Sequence, residues 1–246
     1  DGDEELAHYL LMCMGYSLSG ITDEQCMFLL VGDGSNGKSV LLELMSAIYG
    51  DYYQHSRFDA FLKKYNNTSS HDLARLHNAR VVTAIESGIS KHWDEERIKE
   101  ITGGDNVTAR HLYKSEFTFK SQIKLWCATN NLRKVDDFTL AFWRRIKVIP
   151  FNRKFEGDDR DTNMIDKLKG ESSGILNRII KGFKEWTEVG LTTLPYQVKQ
   201  AVEDYRNESD VVAQFIADRI TDVGGYDVSI TAKQMYEQYK EWHREN

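Results

Sequence analysis

The segment VGDGSNGKSVLLELM, Val31 to Met45, constrains this chain more than any other. Gly32, Gly37, Lys38 and Ser39 match G-x-x-x-x-G-K-[ST] without a mismatch, the pattern of a loop that wraps phosphates with backbone N–H groups. Glycine lets the backbone approach oxygens closely and take dihedrals closed to other residues. Lys38 would reach the β- and γ-phosphates, and Ser39 would hold Mg²⁺ through its hydroxyl. Asp33, Gly34, Ser35, Asn36 and Val40 complete the expected cradle. The flanks fit the chemistry. Cys26 to Val31 is a continuous apolar run, as in a buried parallel strand. Val40, Leu41, Leu44, Met45 and Ile48 then recur at helical spacing up to Gly50. A helix starting at the loop would aim its positive end at the bound anion. Strand, loop and helix in that order predict an α/β chain with a parallel sheet.

Further strands follow. Ala79 to Glu86 reads as a second buried strand, expected beside the first, with Glu86 as the carboxylate at its end. Such an acid can polarise the attacking water, hold the metal, or both. Ile123 to Ala128 is a third, followed by Thr129-Asn130-Asn131. An amide there can orient the lytic water, although Asn-Asn after a strand is by itself only a turn signal. Ile146 to Ile149 is a fourth, preceded by Arg144 and Arg145. Between them, Trp93 to Thr102 is a short helix ended by Gly103-Gly104. Asn106 to Lys120 alternates as a hairpin, with Tyr113 to Glu116 as its turn and Arg110, His111 and Lys114 near its tip.

The flanking segments are helical. Glu4 to Met14 carries apolar residues at helical spacing, with Gly15 as its expected stop. From Phe155 onward Ile175, Leu176, Ile179, Ile180, Phe183 and Trp186 form one stripe, and Pro195 can start another helix. Asp210 to Ile220 and Thr231 to Trp242 predict two more, the second opened by a Thr231–Gln234 capping box. Asn66 to Ser70 is expected to be a mobile loop. The resulting partition is a helical element at 1–25, a nucleotide-binding core at 26–155, a helical lid at 156–206 and the start of a winged-helix-like module at 207–246.

Composition narrows the function. The net charge of −6 argues against nonspecific nucleic-acid binding over the whole surface. From Arg97 to Lys147, however, 11 Lys/Arg face 5 Asp/Glu, a basic band suited to a local anion-binding surface. No apolar run is long enough to span a bilayer, so no membrane partner is expected. Cys13, Cys26 and Cys127 are dispersed in apolar runs, as in buried thiols of a reducing compartment. The seven histidines show no metal-ligand spacing. The acidic start, DGDEEL, has no leader character and reads as an internal cut in a longer protein.

Together, GDGSNGKSV, VVTAIES, IKEITGGDNVTARHLYKSEFTF, KLWCATNN and FWRRIKVIPF resemble, in order and spacing, the superfamily 3 helicases. The likeness is nearest to the C-terminal ATPase part of phage, plasmid and poxvirus-type primase–helicases. DVVAQFIADRI and TAKQMYEQYKEWHREN extend it towards the C-terminus. The resemblance implies an AAA+ type fold and a homo-hexameric ring that uses ATP and Mg²⁺ to move on single-stranded DNA, typically 3′ to 5′. It implies a setting in replication of a mobile element, in host cytoplasm, beside a primase or initiator. By the same resemblance Lys38 and Ser39 contact phosphate and metal, and Glu86 serves catalysis and the metal. Asn130 is a polar sensor. Arg145, or alternatively Arg144, is supplied in trans to a neighbour's site. The segment from His111 to Lys114 grips DNA. One departure stands out: relatives commonly carry a further acid soon after the Glu86 position, where this chain has Ser87, Gly88 and Ile89.

Two other readings remain. An ATP- and DNA-binding initiator or scaffold with slow hydrolysis would tolerate the missing acid. A small-substrate kinase could use the same loop, but no feature marks a second substrate pocket. No Asn-Lys-x-Asp guanine motif is present.

Overall fold

The apolar runs become the strands of one sheet. The computed structural model describes residues 2–63, 71–86, 92–220 and 229–245. Among these, β1 (Met27–Val31), β2 (Tyr53–Arg57), β3 (Val81–Ile85), β6 (Lys124–Thr129) and β7 (Ile146–Pro150) form a five-stranded sheet in the order β2-β3-β6-β1-β7. Every pairing is parallel. β4 (Asn106–Arg110) and β5 (Glu116–Lys120) form a separate antiparallel hairpin. The expectation that the Glu86 strand lies beside β1 is corrected, because β6 is inserted between β3 and β1. All six residues of β6 are buried, and a strand apolar on both faces is most stable at the centre of the sheet.

Register decides what the strand ends share. Val31 is level with Thr129, and Ile85 with Ala128. The segments that follow β1, β3 and β6 therefore emerge side by side at one edge of the sheet. Arg145 lies at the opposite edge, where its carbonyl accepts from Met27 N–H at 2.8 Å just before β7 begins.

Helices cover the sheet. The first, α1 (Glu4–Leu18), is capped by Asp3 and runs through Gly15 rather than stopping there. The reason is tertiary. A Cβ on Gly15 would meet Phe183 N at 2.2 Å, and one on Gly182 would meet Leu11 O at 2.4 Å. The two glycines thus let α1 and α7 (Ser172–Val189) cross almost backbone to backbone. In the α7 stripe Ile179 and Trp186 are buried, but Ile180 is exposed. Phe28 stacks on Trp126 at 4.2 Å, and the Trp126 indole donates to Ser17 Oγ at 3.2 Å, tying α1 to the sheet centre.

The chain divides into two compact units, Asp1–Val202 and Glu203–Asn246, within helix α8 (Tyr196–Ser209). The second contains α9 (Val211–Arg219) and α10 (Ala232–Glu245), which meet through Phe215, Tyr239 and Trp242. The capping box at Thr231 is formed: Gln234 N–H donates to Thr231 Oγ1 at 3.3 Å, and Gln234 Oε1 accepts from Thr231 N–H at 3.1 Å. The Asn66–Ser70 loop, and Ser87, Gly88 and Ile89, lie outside the described residues.

Candidate nucleotide site and basic hairpin

The residues of the expected phosphate loop follow β1 directly. Gly32 has φ of 155°, and a Cβ there would meet Phe151 O at 2.3 Å and Asn36 Nδ2 at 2.4 Å. Only glycine fits this turn. Asn36 Nδ2 donates to Phe151 O at 3.0 Å, pinning the loop to the end of β7. Gly37 (φ 92°) is the N-cap of α2 (Lys38–Tyr49), so that helix begins inside the motif. Lys38 is only 6% exposed. Its ammonium folds back on its own loop, donating to the Gly32 carbonyl and to Asn36 Oδ1, the latter at 3.0 Å. Burial lowers its affinity for the proton, and Asp33 and Glu86 oppose that effect.

Across from the loop, Glu86 leaves β3. Its N–H continues the ladder to Ala128 O at 2.9 Å. The carboxylate already has partners. Oε2 accepts from the Thr129 hydroxyl and, at 3.0 Å, from Asn130 N–H. Oε1 accepts from the Arg133 guanidinium. Glu86 is 16% exposed and Arg133 6%, so this is a largely buried ion pair. The Arg133 guanidinium also lies 5.5 Å from the Phe58 ring. Sequence reasoning missed Arg133, which carries no motif signal and reaches Glu86 only through the turn after β6.

Lys38, Ser39, Glu86 and Asn130 share one cavity of about 730 Å³, a size suited to a small-molecule ligand. Its walls include Gly34–Val40, Glu86 and Asn130. Asp159, Arg160, Asp161 and Thr162 close another side. Of the segment expected to act as a lid, those residues and Met164 reach the cavity, whereas α7 packs on α1. Lys38, Ser39, Glu86 and Asn130 are therefore brought together. The Lys38 cation at the start of α2 fits a phosphate group, and the Ser39 hydroxyl with the Glu86 carboxylate fits a hard divalent cation.

Arg144 and Arg145 lie elsewhere. Arg145, preferred from the sequence, is 7% exposed and donates to the Ala141 carbonyl and to Gln25 Oε1 at 3.4 Å. Arg144 is exposed and donates to Gln25 Oε1.

The hairpin is a third location. Val107, Ala109 and Phe119 bury one of its faces. Arg110 pairs with Glu116, and Lys114 N–H donates to His111 O at 3.1 Å. The turn is therefore His111–Lys114, two residues earlier than the sequence suggested. Arg110 and Lys114 are exposed. His111 is half-buried, its ring stacked on Phe117 at 5.4 Å.

A family model described as a family of unknown function, DUF5906, matches residues 30–145. A helicase-named protein of Acanthamoeba polyphaga mimivirus is 31% identical over 263 residues, covering 99% of this chain and 27% of that protein. A primase-named protein of African swine fever virus is 23% identical over 242 residues, covering 91% of this chain and 25% of that protein. The chain thus spans about a quarter of the length of these relatives. Among solved structures, the apo NrS-1 C-terminal region matches with a TM-score of 0.57 at 19% identity, over 89% of this chain and 55% of that one. By sequence and fold together, the chain resembles the C-terminal, superfamily 3-type part of a viral primase–helicase.

Proposed function

We propose that this chain is the ATP-hydrolysing motor segment of a viral replicative helicase, acting on single-stranded DNA as a homo-oligomeric AAA+ type ring. One observation carries the reading: Lys38, Ser39, Glu86 and Asn130, from three adjacent strand ends, face a single cavity. ATP would be bound by the Gly32–Val40 loop, with the Lys38 ammonium leaving its loop acceptors for the phosphates. Mg²⁺, held by Ser39 and Glu86, would neutralise charge developing on the phosphates. Asn130 would orient the attacking water, and Glu86 would take up its proton.

Two features refine the reading. Arg145 is buried in contacts within its own chain, whereas Arg144 is exposed at the sheet edge opposite the phosphate loop. Arg144 is therefore the better candidate for the arginine donated to a neighbour. Glu86 must exchange Arg133 for water or metal before it can act. That engagement specifically favours the second reading, an initiator or scaffold with slow hydrolysis. Arg110 and Lys114 on the exposed hairpin supply the charge for a DNA backbone, with the direction of movement expected to be 3′ to 5′.

Strand displacement on a 3′-tailed duplex separates the two readings. A motor displaces the strand with ATP but not with a nonhydrolysable analogue, and Lys38→Ala is inactive. Displacement that is equal with the analogue, or unaffected by Lys38→Ala, refutes the motor.

A further inference from the structure

The hairpin tip holds a side chain that its own fold does not use. In the turn closed by Lys114 N–H on His111 O, Leu112 and Tyr113 are the central residues. Tyr113 has φ of 60°, a left-handed conformation that is unfavourable for a bulky residue and normally filled by glycine or asparagine. Burial does not offset that cost, because Tyr113 is 100% exposed. Strained residues retained against the local preference concentrate at functional positions.

The surroundings give the position a chemistry. Arg110 and Lys114 flank it and are exposed. Behind it His111 stacks on Phe117, which stacks on Phe119 at 5.9 Å, and His77 meets both phenylalanines edge-on. The tip is thus a braced ribbon presenting one aromatic face to water between two cations. Single-stranded nucleic acid uses that combination, with cations on phosphates and an aromatic ring against a base.

We propose that Tyr113 is a base-stacking residue, so that the hairpin holds the bases of a single strand as well as its backbone. This rests on the reading of the hairpin as DNA-contacting and makes it specific.

The test measures anisotropy of labelled oligothymidylate and of an abasic strand of equal length. The protein and its Tyr113→Phe, Tyr113→Ala and Tyr113→Asn variants are compared. Stacking on one base predicts a roughly five- to hundredfold preference for the base-bearing strand. Tyr113→Phe keeps the preference, whereas Tyr113→Ala and Tyr113→Asn lose it and bind the abasic strand as the parent does. Asparagine suits the left-handed turn, so Tyr113→Asn melts no lower than the parent, and its loss of preference is not a loss of fold. Equal binding of both strands by the parent, or a preference surviving in Tyr113→Asn, overturns the stacking role while the DNA reading stands. Failure of the parent to bind either strand overturns both, and leaves the exposed ring to a protein partner.

Discussion

The Glu86–Arg133 pair yields the sharpest quantitative expectation. Arg133→Met keeps much of the side chain's length beside Phe58 and leaves the carboxylate, among the described residues, with the Thr129 hydroxyl and Asn130 N–H. Removing one partner of a buried ion pair typically costs about 3–5 kcal/mol. Here Glu86 keeps two donors and is 16% exposed at the cavity, so about 2–3 kcal/mol is expected. Glu86→Gln should cost a similar amount, because it replaces the carboxylate facing a largely buried guanidinium with a neutral amide. In the double variant neither charge is left alone, and its cost should fall about 2 kcal/mol short of the sum. Urea unfolding of the four proteins, followed by tryptophan fluorescence at one pH, closes the cycle. Costs that add to within about 0.5 kcal/mol refute the coupling, and with it the idea that Glu86 must be released from Arg133 to act. If release is required, Arg133→Met should also hydrolyse ATP faster per folded molecule than the parent.

Other expectations follow from single contacts. Gly15→Ala would gain helix propensity of about 1 kcal/mol, yet its Cβ would fall 2.2 Å from Phe183 N. Forcing α1 and α7 apart should outweigh the gain, with a net loss of about 1–3 kcal/mol and a lower melting temperature; an unchanged melt would contradict the close crossing. Lys124 donates to the carbonyls of Ser19, Ile21 and Gln122, and burial, aided by Arg80, lowers its pKa to about 7. Between that value and the ordinary lysine range the unfolded chain binds the extra proton. The Lys124 contribution to stability should therefore rise with pH above 7 by up to about 1.4 kcal/mol per unit and be flat below. Because the buried thiols of Cys13, Cys26 and Cys127 act in the opposite direction as pH rises, the contribution is read as the difference between parent and Lys124→Met, whose denaturant midpoints should diverge between pH 7 and 9. Finally, Arg144→Ala should lower phosphate release by assembled protein about 10³- to 10⁵-fold with an unchanged melt. Arg145→Ala should instead lower the melt, and the reverse pattern would restore Arg145 as the trans arginine.

Much of the candidate nucleotide site was readable in the linear chain because the chemistry expected of it is local. A phosphate loop needs glycines, a lysine and a hydroxyl at fixed offsets between a strand and a helix, and each strand carries its candidate residue at its own end. Glu86 and Asn130 could thus be named from apolar runs that stop at polar residues. The sequence also marked the hairpin through alternation and the Thr231 cap through its spacing. Tertiary structure decided the remainder. Strand order depends on which apolar run is best buried on both sides, which placed β6 between β3 and β1. Gly15 reads as a stop until α7 is laid against it, since a glycine that ends a helix and one that admits a neighbour look alike in one dimension. Arg133 gains its meaning only when a turn returns it to Glu86, and Arg145 loses its prominence only when its side chain is found buried. Tyr113 was already in the turn the sequence suggested, but only the pairing register made it a central residue of that turn with a fully exposed ring, because exposure belongs to the assembled fold and not to the residue.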